Sequence, residues 1–514
     1  MIALKIISLI IFSICVHFYI LNNLYFWQIK SYKLNKYFRF YKNIKNIILY
    51  STTSILGIIS LIFIENNIFY IIFSLIFSII YLILEIYKYF KKKKIKLKLT
   101  PKIKRIFICN IIVFYTLILS LTSCCNYSVM SIMIVSSMLY KDIIVALVVL
   151  CCLPMEKLIN RRYILRAKSK LSSMTYLHKI GITGSVGKTS VKRYLTTLLS
   201  DQKVFASPKS VNTPLGLTRC INSMPDDSEI FVAEMGARKR GQISELCHMI
   251  NTDIAIITNV SPAHIESFGS VENVYLTKKE LSDYCQGDVI YNIDNPFVKR
   301  MYDERDKNKI SVSITTTADY YATDIECNNV GTNFVLHTPN AQYKVSTCLL
   351  GKHNVTNIVL AVAGACRLAD ESVVISKIAN LMPEEHRLQL IQNSNGVNII
   401  DDSYNASADS ITSALDTLAL FSGRKIVASP GMVEGGHLQY KINYDFGAMA
   451  GRFVDIFIII NNTNKKAITD GLLSVGFQNS YYAKTLNDAE ILFKNLLRSG
   501  DTLLILNDLP DDYN

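Results

Sequence analysis

A glycine-rich turn between a strand pattern and a helical pattern constrains this chain more than any other feature. Residues 181–190 read GITGSVGKTS and continue directly into VKRYLTTLL. At such a helix N-terminus, backbone N–H groups around Gly184 and Gly187 favour a bound polyphosphate. Lys188 can reach the β- and γ-phosphates, and the Thr189 hydroxyl can ligate Mg²⁺. The pattern predicts a nucleotide-binding loop.

The spacing of this loop departs from the strict pattern G-x-x-x-x-G-K-[ST]. That pattern needs glycine at position 182, which is Ile182 here, so we interpret the loop as a Walker A variant. A chance turn rich in glycine and serine is the alternative, but a strand, two spaced glycines, Lys-Thr-Ser and a helix in this order favour nucleotide binding. The ATP-binding residues predicted from the loop are Gly184, Ser185, Gly187, Lys188, Thr189 and Ser190.

Positive charge is concentrated in the first third of the chain. Up to His178 there are 24 Lys/Arg against 4 Asp/Glu, and the remaining residues hold 31 against 37. The early basic residues lie between long apolar segments, which is typical of a membrane protein that obeys the positive-inside rule rather than of a basic groove. Nucleic acid is therefore excluded as an expected partner.

Apolar segments close to the length of a membrane-spanning helix predict five spans. They are Ala3–Leu21, Ile47–Ile64, Ile68–Tyr87, Ile106–Thr122 and Val129–Leu153. The fifth contains Lys141 and Asp142, so it is either one helix with an ion pair or two half-spans. The basic loops 22–45 and 88–105 hold no acidic residue and are predicted to be cytoplasmic.

Five spans place the N-terminus outside and everything after Pro154 inside, whereas two half-spans would put the nucleotide loop outside the cell. We therefore predict a multi-pass protein of the bacterial inner membrane, with cytoplasmic catalytic domains and membrane lipid as a partner.

Beyond Leu177 the pattern changes to alternating strands and helices. Predicted strands HKIGIT, EIFVAEM, TDIAIITNV and GDVIYNI are separated by helical stretches, which favours a mainly parallel sheet with helices on both faces. Residues 310–350 alternate with period two and lead into a helix at Val355–Leu368. A second α/β unit starts near Gly396, with strands VNIID, RKIVAS, VDIFIII and DTLLIL.

Polar residues follow several of these strands, at the edge where open α/β sheets bind ligands. Glu234 ends the strand after the loop, His264 follows the next strand, and Lys278 lies on the helix behind it. Each residue alone has an ordinary structural interpretation, as a strand-end carboxylate, a loop histidine or a solvated lysine. Their order along the chain is what favours a site.

Ten motifs occur in the order found in one enzyme family. They are GITGSVGKTS, VNTPLG, AEMGARKRGQI, TNVSPAHIESFGS, TKKEL, NIDN, GKHNVTN, HRLQ, DDSYNASADS and PGMVEG. The series resembles the ATP-dependent Mur ligases, and within them the members that join UDP-N-acetylmuramoyl-tripeptide to D-alanyl-D-alanine.

The apolar segments predict an α-helical transmembrane domain, and the resemblance implies that α/β follows it, with a P-loop central ATPase domain and a C-terminal Rossmann-like domain. The expected segments are a membrane domain (1–155), a basic tether (156–176), the central ATP-binding domain (177–384) and the C-terminal domain (385–514). The implied cofactors are ATP and Mg²⁺. The implied partners are a UDP-linked or lipid-linked cell-envelope precursor and an amine-bearing amino acid or peptide.

The resemblance also implies residue roles. Lys188, Lys278 and His264 would be catalytic, with Lys278 carbamylated as in many members. Thr189, Glu234, His264 and Lys278 match the metal site. Asn354, Asn357, Arg387 and Asp402 match residues near the nucleotide, and Asn212 and Thr213 match the loop that approaches the substrate.

Departures from the family pattern leave the acceptor open. Val186 stands where asparagine is usual, Ser407-Ala408 replaces Asn-Pro, and the final strand lacks a following Lys-Gly-Ser stretch. The family's soluble N-terminal domain, which grips the UDP-sugar, is also expected to be replaced by the spans. We predict an amide ligase working through an acyl phosphate, the alternatives being a synthetase of an anionic polypeptide such as poly-glutamate and a non-catalytic nucleotide switch for envelope assembly.

Overall fold

The chain divides into two compact units. The computed structural model describes residues 2–29, 97–124, 127–262, 265–392, 395–404 and 408–507, with single residues and short stretches between 32 and 90. One unit comprises residues 1–161 and the other residues 162–513. The boundaries between the four predicted segments stay predictions.

Long helices dominate the first unit. They are α1 (Ile2–Ile29), α2 (Pro101–Cys124) and the start of α3 (Tyr127–Ser173). Val16 and Ile20 of α1 pack in one core with Ile106 of α2 and Val149 of α3. Arg105 donates to both oxygens of Glu156, at 2.7 and 2.8 Å.

The predicted multi-pass membrane location is wrong for the part of the chain that is described. One segment there, Ile143–Ser173, is long and apolar enough to cross a bilayer, and the core helix of a water-soluble protein can meet the same criterion. The predicted span 47–64 lies outside the described residues, as does most of 68–87. A long apolar segment indicates only that its side chains favour burial. In this unit, apolar side chains of α1, α2 and α3 pack against one another. The region predicted as one helix or two half-spans is one continuous helix with Pro154 inside it.

The central part of the second unit is built on a nine-stranded sheet. Its order is β2-β3-β1-β4-β5-β6-β7-β8-β9, with parallel pairing from β2 to β7 and antiparallel pairing beyond. The strands are β1 (His178–Thr183), β2 (Val204–Ala206), β3 (Ile230–Glu234), β4 (Ile254–Ile257), β5 (Asp288–Asn292), β6 (Lys309–Ser313), β7 (Tyr320–Cys327), β8 (Thr332–His337) and β9 (Gln342–Thr347).

Helices cover both faces of this sheet and form two apolar cores with it. They are α4 (Lys188–Leu198), α5 (Pro214–Ser223), α6 (Gln242–Ile250), α7 (Ile265–Phe268), α8 (Val271–Tyr284), α9 (Pro296–Asp303), α10 (Lys352–Ala365) and α11 (Glu371–Ser376), with a 3₁₀ turn at Ile378–Asn380. The mainly parallel sheet with helices on both faces, predicted from the strand patterns, is thereby confirmed.

A six-stranded sheet organises the C-terminal part. Its order is β10-β11-β15-β12-β13-β14, and all pairs are parallel except β10 with β11. The strands are β10 (Gln389–Gln392), β11 (Asn398–Asp402), β12 (Lys425–Ser429), β13 (Ile456–Ile460), β14 (Ser480–Ala483) and β15 (Thr502–Leu506). The helices are α12 (Ala408–Ala419), α13 (Gln439–Ala450), α14 (Lys465–Ser474) and α15 (Leu486–Leu496), and a 3₁₀ turn spans Gly436–Leu438.

Candidate active site

The glycine-rich loop connects β1 to α4 and depends on its glycines. Gly187 has φ of 84° and caps the N-terminus of α4. Gly184 lies so close to the end of β4 that a Cβ there would come within 1.9 Å of the Thr258 hydroxyl oxygen. Glycine is therefore required at both positions, at one for conformation and at the other for space.

The loop is fastened to the two residues that follow β4. The Ser185 N–H donates to the Asn259 carbonyl at 2.9 Å, and the Val186 N–H donates to the Asn259 side-chain oxygen at 2.7 Å. Thr258 also donates to the Val186 carbonyl. Two neighbouring strand ends thus set the shape of the loop.

Lys188 folds back over this loop. Its ammonium donates to the carbonyls of Gly184 at 2.7 Å and Ser185 at 3.1 Å. Burial lowers the pKa of Lys188 to about 8, with Glu234 opposing the shift and Arg387 adding to it. Lys188 therefore keeps its positive charge at neutral pH.

Glu234 is the buried centre of a hydrogen-bond network. Its Oε2 accepts from Thr189 and from Lys192, each at 3.1 Å, and its Oε1 accepts from Asn212 at 3.1 Å. The side chain is 2% exposed. Burial alone would raise the pKa of Glu234, but two neighbouring lysines, Lys188 and Lys192, outweigh it and hold the pKa below its ordinary value. A carboxylate kept ionised in this way is suited to bind a cation.

The oxygens of Glu234 and Thr189 fit Mg²⁺, which prefers hard oxygen ligands. Both residues line the same cavity. Within the described residues, no group of three or more His, Cys, Asp or Glu side chains could hold a metal ion. His264 lies outside those residues, so its metal-binding and catalytic roles stay predictions.

Lys278 is buried in α8 and faces the same cavity as Glu234 and Lys188. Burial, together with the charge of Lys188, lowers its pKa to about 7, while Glu280 and Glu234 oppose the shift. A substantial fraction of the side chain is therefore a neutral amine near pH 7, which is the form that reacts with CO₂. Glu280 has a structural task, since it accepts from the N–H groups of Gly241 and Ser244 at 2.7 and 2.8 Å.

The cavity that Glu234 lines, which we call the main cavity because it adjoins the glycine-rich loop, has a volume of about 390 Å³ and is lined by both sheet domains. Asn212 and Thr213 reach it from the loop after β2, and Met432 and Glu434 reach it from the loop after β12. Arg238, in the loop after β3, pairs with Glu434 at 3.6 Å and so joins the two domains across the cavity. Residues predicted from distant motifs are thus brought to one chamber.

A second cavity of about 160 Å³ adjoins the other side of the glycine-rich loop. Ser190, Asn354, Asn357, Arg387 and Asp402 all line it. These five residues are predicted to bind ATP from four separate motifs, and the fold places them around one space.

The two asparagines have different surroundings in this second cavity. The Asn354 amide accepts from the Tyr194 hydroxyl at 2.8 Å and donates to the Leu350 carbonyl at 2.9 Å. These bonds tie α10 to α4, which makes Asn354 part of the framework. Asn357 packs directly beneath Gly187, where a Cβ would come within 2.5 Å of its side-chain oxygen.

Arg387 and Asp402 enter from the C-terminal domain. Arg387 donates to the Thr189 hydroxyl at 3.5 Å and lies 4.6 Å from the ring centroid of Tyr404. One Asp402 oxygen accepts from the Leu388 N–H at 3.3 Å, whereas the other is buried and has no hydrogen-bond partner among the residues described. Burial raises the pKa of Asp402 to about 7, with Arg387 opposing the shift.

We expect Asp402 to make stability depend on pH. Its pKa in the folded protein lies above its ordinary value, so its stabilising contribution is present in acid and is lost as pH rises from about 4 to about 7. Relative to Asp402→Asn, the wild type should lose up to roughly 4 kcal/mol across this window. Melting temperatures of both proteins from pH 4.5 to 8 provide the measurement.

Asp416→Asn is the matched control, because Asp416 is an exposed carboxylate on the neighbouring helix α12. A difference in melting temperature between wild type and Asp402→Asn that stays constant over the whole pH range would contradict the raised pKa assigned to Asp402.

Comparison with protein families identifies the two sheet domains. Residues 182–365 match the Mur ligase middle domain, and residues 386–507 match the Mur ligase glutamate ligase domain. The chain belongs to the Mur ligase family. The predicted resemblance is confirmed, and the Mur ligase domains correspond to the parts of the chain that line both cavities.

Two curated relatives of this Mur ligase chain carry the same name. The chain is 31% identical over 276 residues to UDP-N-acetylmuramoyl-tripeptide–D-alanyl-D-alanine ligase of Bacillus subtilis (strain 168), covering 52% of this chain and 59% of the relative. It is 35% identical over 246 residues to the enzyme of that name from Mycobacterium tuberculosis (strain ATCC 25618 / H37Rv), covering 47% and 48%. The chain thus spans less than two thirds of the length of these relatives.

Solved structures show the same Mur ligase fold. MurF from Acinetobacter baumannii matches with a TM-score of 0.62 and 24% identity, over 68% of this chain and 77% of the other. MurF ligase from Thermotoga maritima in complex with ADP matches with the same TM-score and identity, over 68% and 80%. At this identity the likeness describes the fold.

Proposed function

We propose that the chain is an ATP-dependent amide ligase that extends a muramoyl peptide, with D-alanyl-D-alanine as the amine-bearing acceptor. The observation that carries the proposal is a single chamber lined by Lys188, Thr189, Glu234 and Lys278. These residues supply a phosphate-binding cation, a carboxylate and hydroxyl suited to Mg²⁺, and a lysine with a lowered pKa. The name shared by the curated relatives supports the choice of substrates.

A carboxylate is a poor acyl donor, so the reaction needs an activated intermediate. A carboxylate oxygen of the muramoyl peptide attacks the γ-phosphorus of ATP, and ADP leaves. The neutral amine of the acceptor then attacks the acyl carbon of the resulting acyl phosphate. Inorganic phosphate departs with the original carboxylate oxygen, and the amine loses one proton as the amide forms.

Side chains around the glycine-rich loop would serve the first step by positioning and by charge compensation. Lys188 would leave the loop carbonyls and contact the phosphoryl oxygens as negative charge develops on them. Arg387 would bring a second cation from the C-terminal domain. When bound, Mg²⁺ would neutralise phosphate charge, with Glu234 and Thr189 holding it.

Lys278 would contribute as a carbamate. A plain ammonium next to a metal site would repel the metal, whereas the carbamate is an anion. Formation of the carbamate requires a neutral amine, and the pKa of about 7 at Lys278 makes that form available. Burial in α8 would shelter the group from water.

The smaller cavity would hold the nucleoside part of ATP. Asp402 offers a buried, unpartnered oxygen there, which fits the hydroxyl groups of a ribose. Asn357 and Gly187 form the wall next to the loop. The lipid-linked precursor and the membrane-lipid partner predicted from the sequence depended on the multi-pass domain and lose their support with it.

Isotope transfer tests the reaction and its intermediate together. Purified full-length protein is incubated with ATP, Mg²⁺, D-alanyl-D-alanine and UDP-N-acetylmuramoyl-tripeptide labelled with ¹⁸O in its terminal carboxylate. We expect one ¹⁸O atom in the released phosphate, because the acyl phosphate transfers a carboxylate oxygen to phosphorus. Mass spectrometry of the phosphate and the amide product provides the readout.

The acceptor panel also contains L-glutamate and single D-amino acids. Repeated addition of glutamate would favour the polypeptide synthetase instead. Binding of ATP without any amide product would favour the nucleotide switch, and unlabelled phosphate in an active reaction would contradict the acyl phosphate.

A further inference from the structure

We propose that Lys192 is a positioning residue that joins the carboxylate of Glu234 to the loop 207–213, so that it sets both the cation affinity of the site and the position of the substrate loop. The inference rests on the proposed function for the metal-binding role of Glu234. Lys192 is not among the residues predicted from motifs, because its position in VKRYLTTLL follows an ordinary helical pattern.

Lys192 lies one helical turn after Lys188 on α4 and is 5% exposed. Its ammonium donates to Oε2 of Glu234 at 3.1 Å, and also to the carbonyl oxygen of Lys209. Among the residues described, those that line the two cavities include Glu234 but not Lys192. The ammonium thus approaches the carboxylate from behind, away from the chamber.

The loop 207–213 is fastened to Glu234 and to nearby Gly236. Asn212 donates to Oε1 of Glu234 at 3.1 Å, and the Gly236 N–H donates to the Asn212 carbonyl at 2.9 Å. The Ser207 hydroxyl accepts from the Glu234 N–H at 3.2 Å. Between these anchors Lys209 adopts φ of 44°, a conformation that needs support from its surroundings.

Lys192 supplies that support through the Lys209 carbonyl. The other end of the loop carries Asn212 and Thr213 into the main cavity. One ammonium therefore contacts both the carboxylate proposed to bind Mg²⁺ and the segment proposed to approach the muramoyl peptide.

Removal of this ammonium has two opposite consequences. Glu234 loses a cation 3.1 Å away, so a divalent metal at the site is repelled less and competes with one fewer partner for Oε2. Lys188 and Asn212, which also lower the pKa of Glu234, remain and keep the carboxylate ionised. At the same time the loop loses its bond at Lys209, so substrate positioning weakens. A side chain that only stabilised the fold would not strengthen metal binding when removed.

The test compares Lys192→Met with Lys192→Arg and wild type in the full chain. Mn²⁺ binding is followed by electron paramagnetic resonance in the presence of ADP, and hydrogen exchange is measured in peptides that contain 207–213. For Lys192→Met we expect the Mn²⁺ dissociation constant to fall about fivefold, as for loss of one partly screened nearby charge. We also expect faster exchange in the loop and a KM for the muramoyl peptide raised about tenfold with a smaller change in kcat.

Lys192→Arg keeps the charge and should leave Mn²⁺ affinity near the wild-type value. Arg193→Met is the matched control, because it removes the adjacent cation of the same helix, which pairs with Glu384 at 3.0 Å. If Lys192→Met does not fold, Lys192→Gln, which keeps a donor without the charge, replaces it in the comparison.

Unchanged or weaker Mn²⁺ binding in the folded, uncharged variant would overturn the inference. The Mn²⁺ and exchange measurements require no ligation. Failure of the proposed ligase activity therefore does not alter what they show about Lys192, and the two failures are distinguishable.

Discussion

Lys188→Met is expected to slow transfer of the γ-phosphoryl group by about 10³-fold, because one preorganised cation next to the phosphate is lost as charge develops in the transition state. The ammonium of Lys188 already lies at the loop, donating to Gly184 and Ser185. The measurement is single-turnover formation of ADP in the presence of the muramoyl peptide. Nucleotide binding should weaken much less than turnover.

The control is Lys299→Met, which removes an exposed lysine paired with Asp303 on α9. Melting temperatures separate a catalytic loss from a folding loss, since two hydrogen bonds to loop carbonyls disappear with Lys188 and each contributes about 1 kcal/mol. If Lys188→Met turned over within about threefold of wild type, equivalent to roughly 0.7 kcal/mol, the assigned role would be wrong.

Lys278→Ala is expected to lose activity by about 10²-fold or more, because the proposed carbamate is an anion that the site needs to hold the metal and the phosphates. Formate or acetate should partly restore activity by filling the space left by the carbamate. Wild-type activity should fall when dissolved CO₂ is removed. It should also fall as pH drops below about 7, since protonation of the Lys278 amine blocks its reaction with CO₂.

Lys279→Ala is the matched control for this variant. Lys279 is the next residue of α8, and its ammonium pairs with Asp283 at 2.7 Å away from the chamber. Full activity of the wild type without CO₂, combined with no rescue of Lys278→Ala by small carboxylates, would leave Lys278 as an ordinary buried lysine.

The glycine-rich loop could be predicted from the sequence because its requirements are local. Gly187 has a left-handed backbone, Gly184 lies close to another strand, and a helix starts directly afterwards. Each of these features restricts which residues can occupy a few neighbouring positions. The strands β1, β3, β4 and β5 could also be predicted from the sequence, since strands buried on both faces consist of short apolar runs. By contrast, β10 and β14 are short edge strands without such a run. Their pairing with β11 and β13 could therefore be established only from the structure.

Membrane location shows the limit of local information. An apolar segment of sufficient length indicates only that its side chains need burial, and lipid or protein can satisfy that need. Val16, Ile106 and Val149 are far apart in the chain, so their common core could not be read from hydropathy. Among the described residues one segment, Ile143–Ser173, is long and apolar enough to cross a bilayer, so the multi-pass prediction is wrong for that part of the chain.

The sequence alone determined that a phosphate-binding loop follows β1, that two α/β domains follow the basic region, and that the motifs are those of Mur ligases. Only the tertiary structure decided that Lys192 and Asn212 both donate hydrogen bonds to Glu234. It also decided that the side-chain oxygen of Asn354 accepts a hydrogen bond from Tyr194, so that this oxygen is already occupied within the framework. Spacing along a chain specifies local backbone geometry, whereas a contact between residues tens of positions apart depends on how strands order and helices pack.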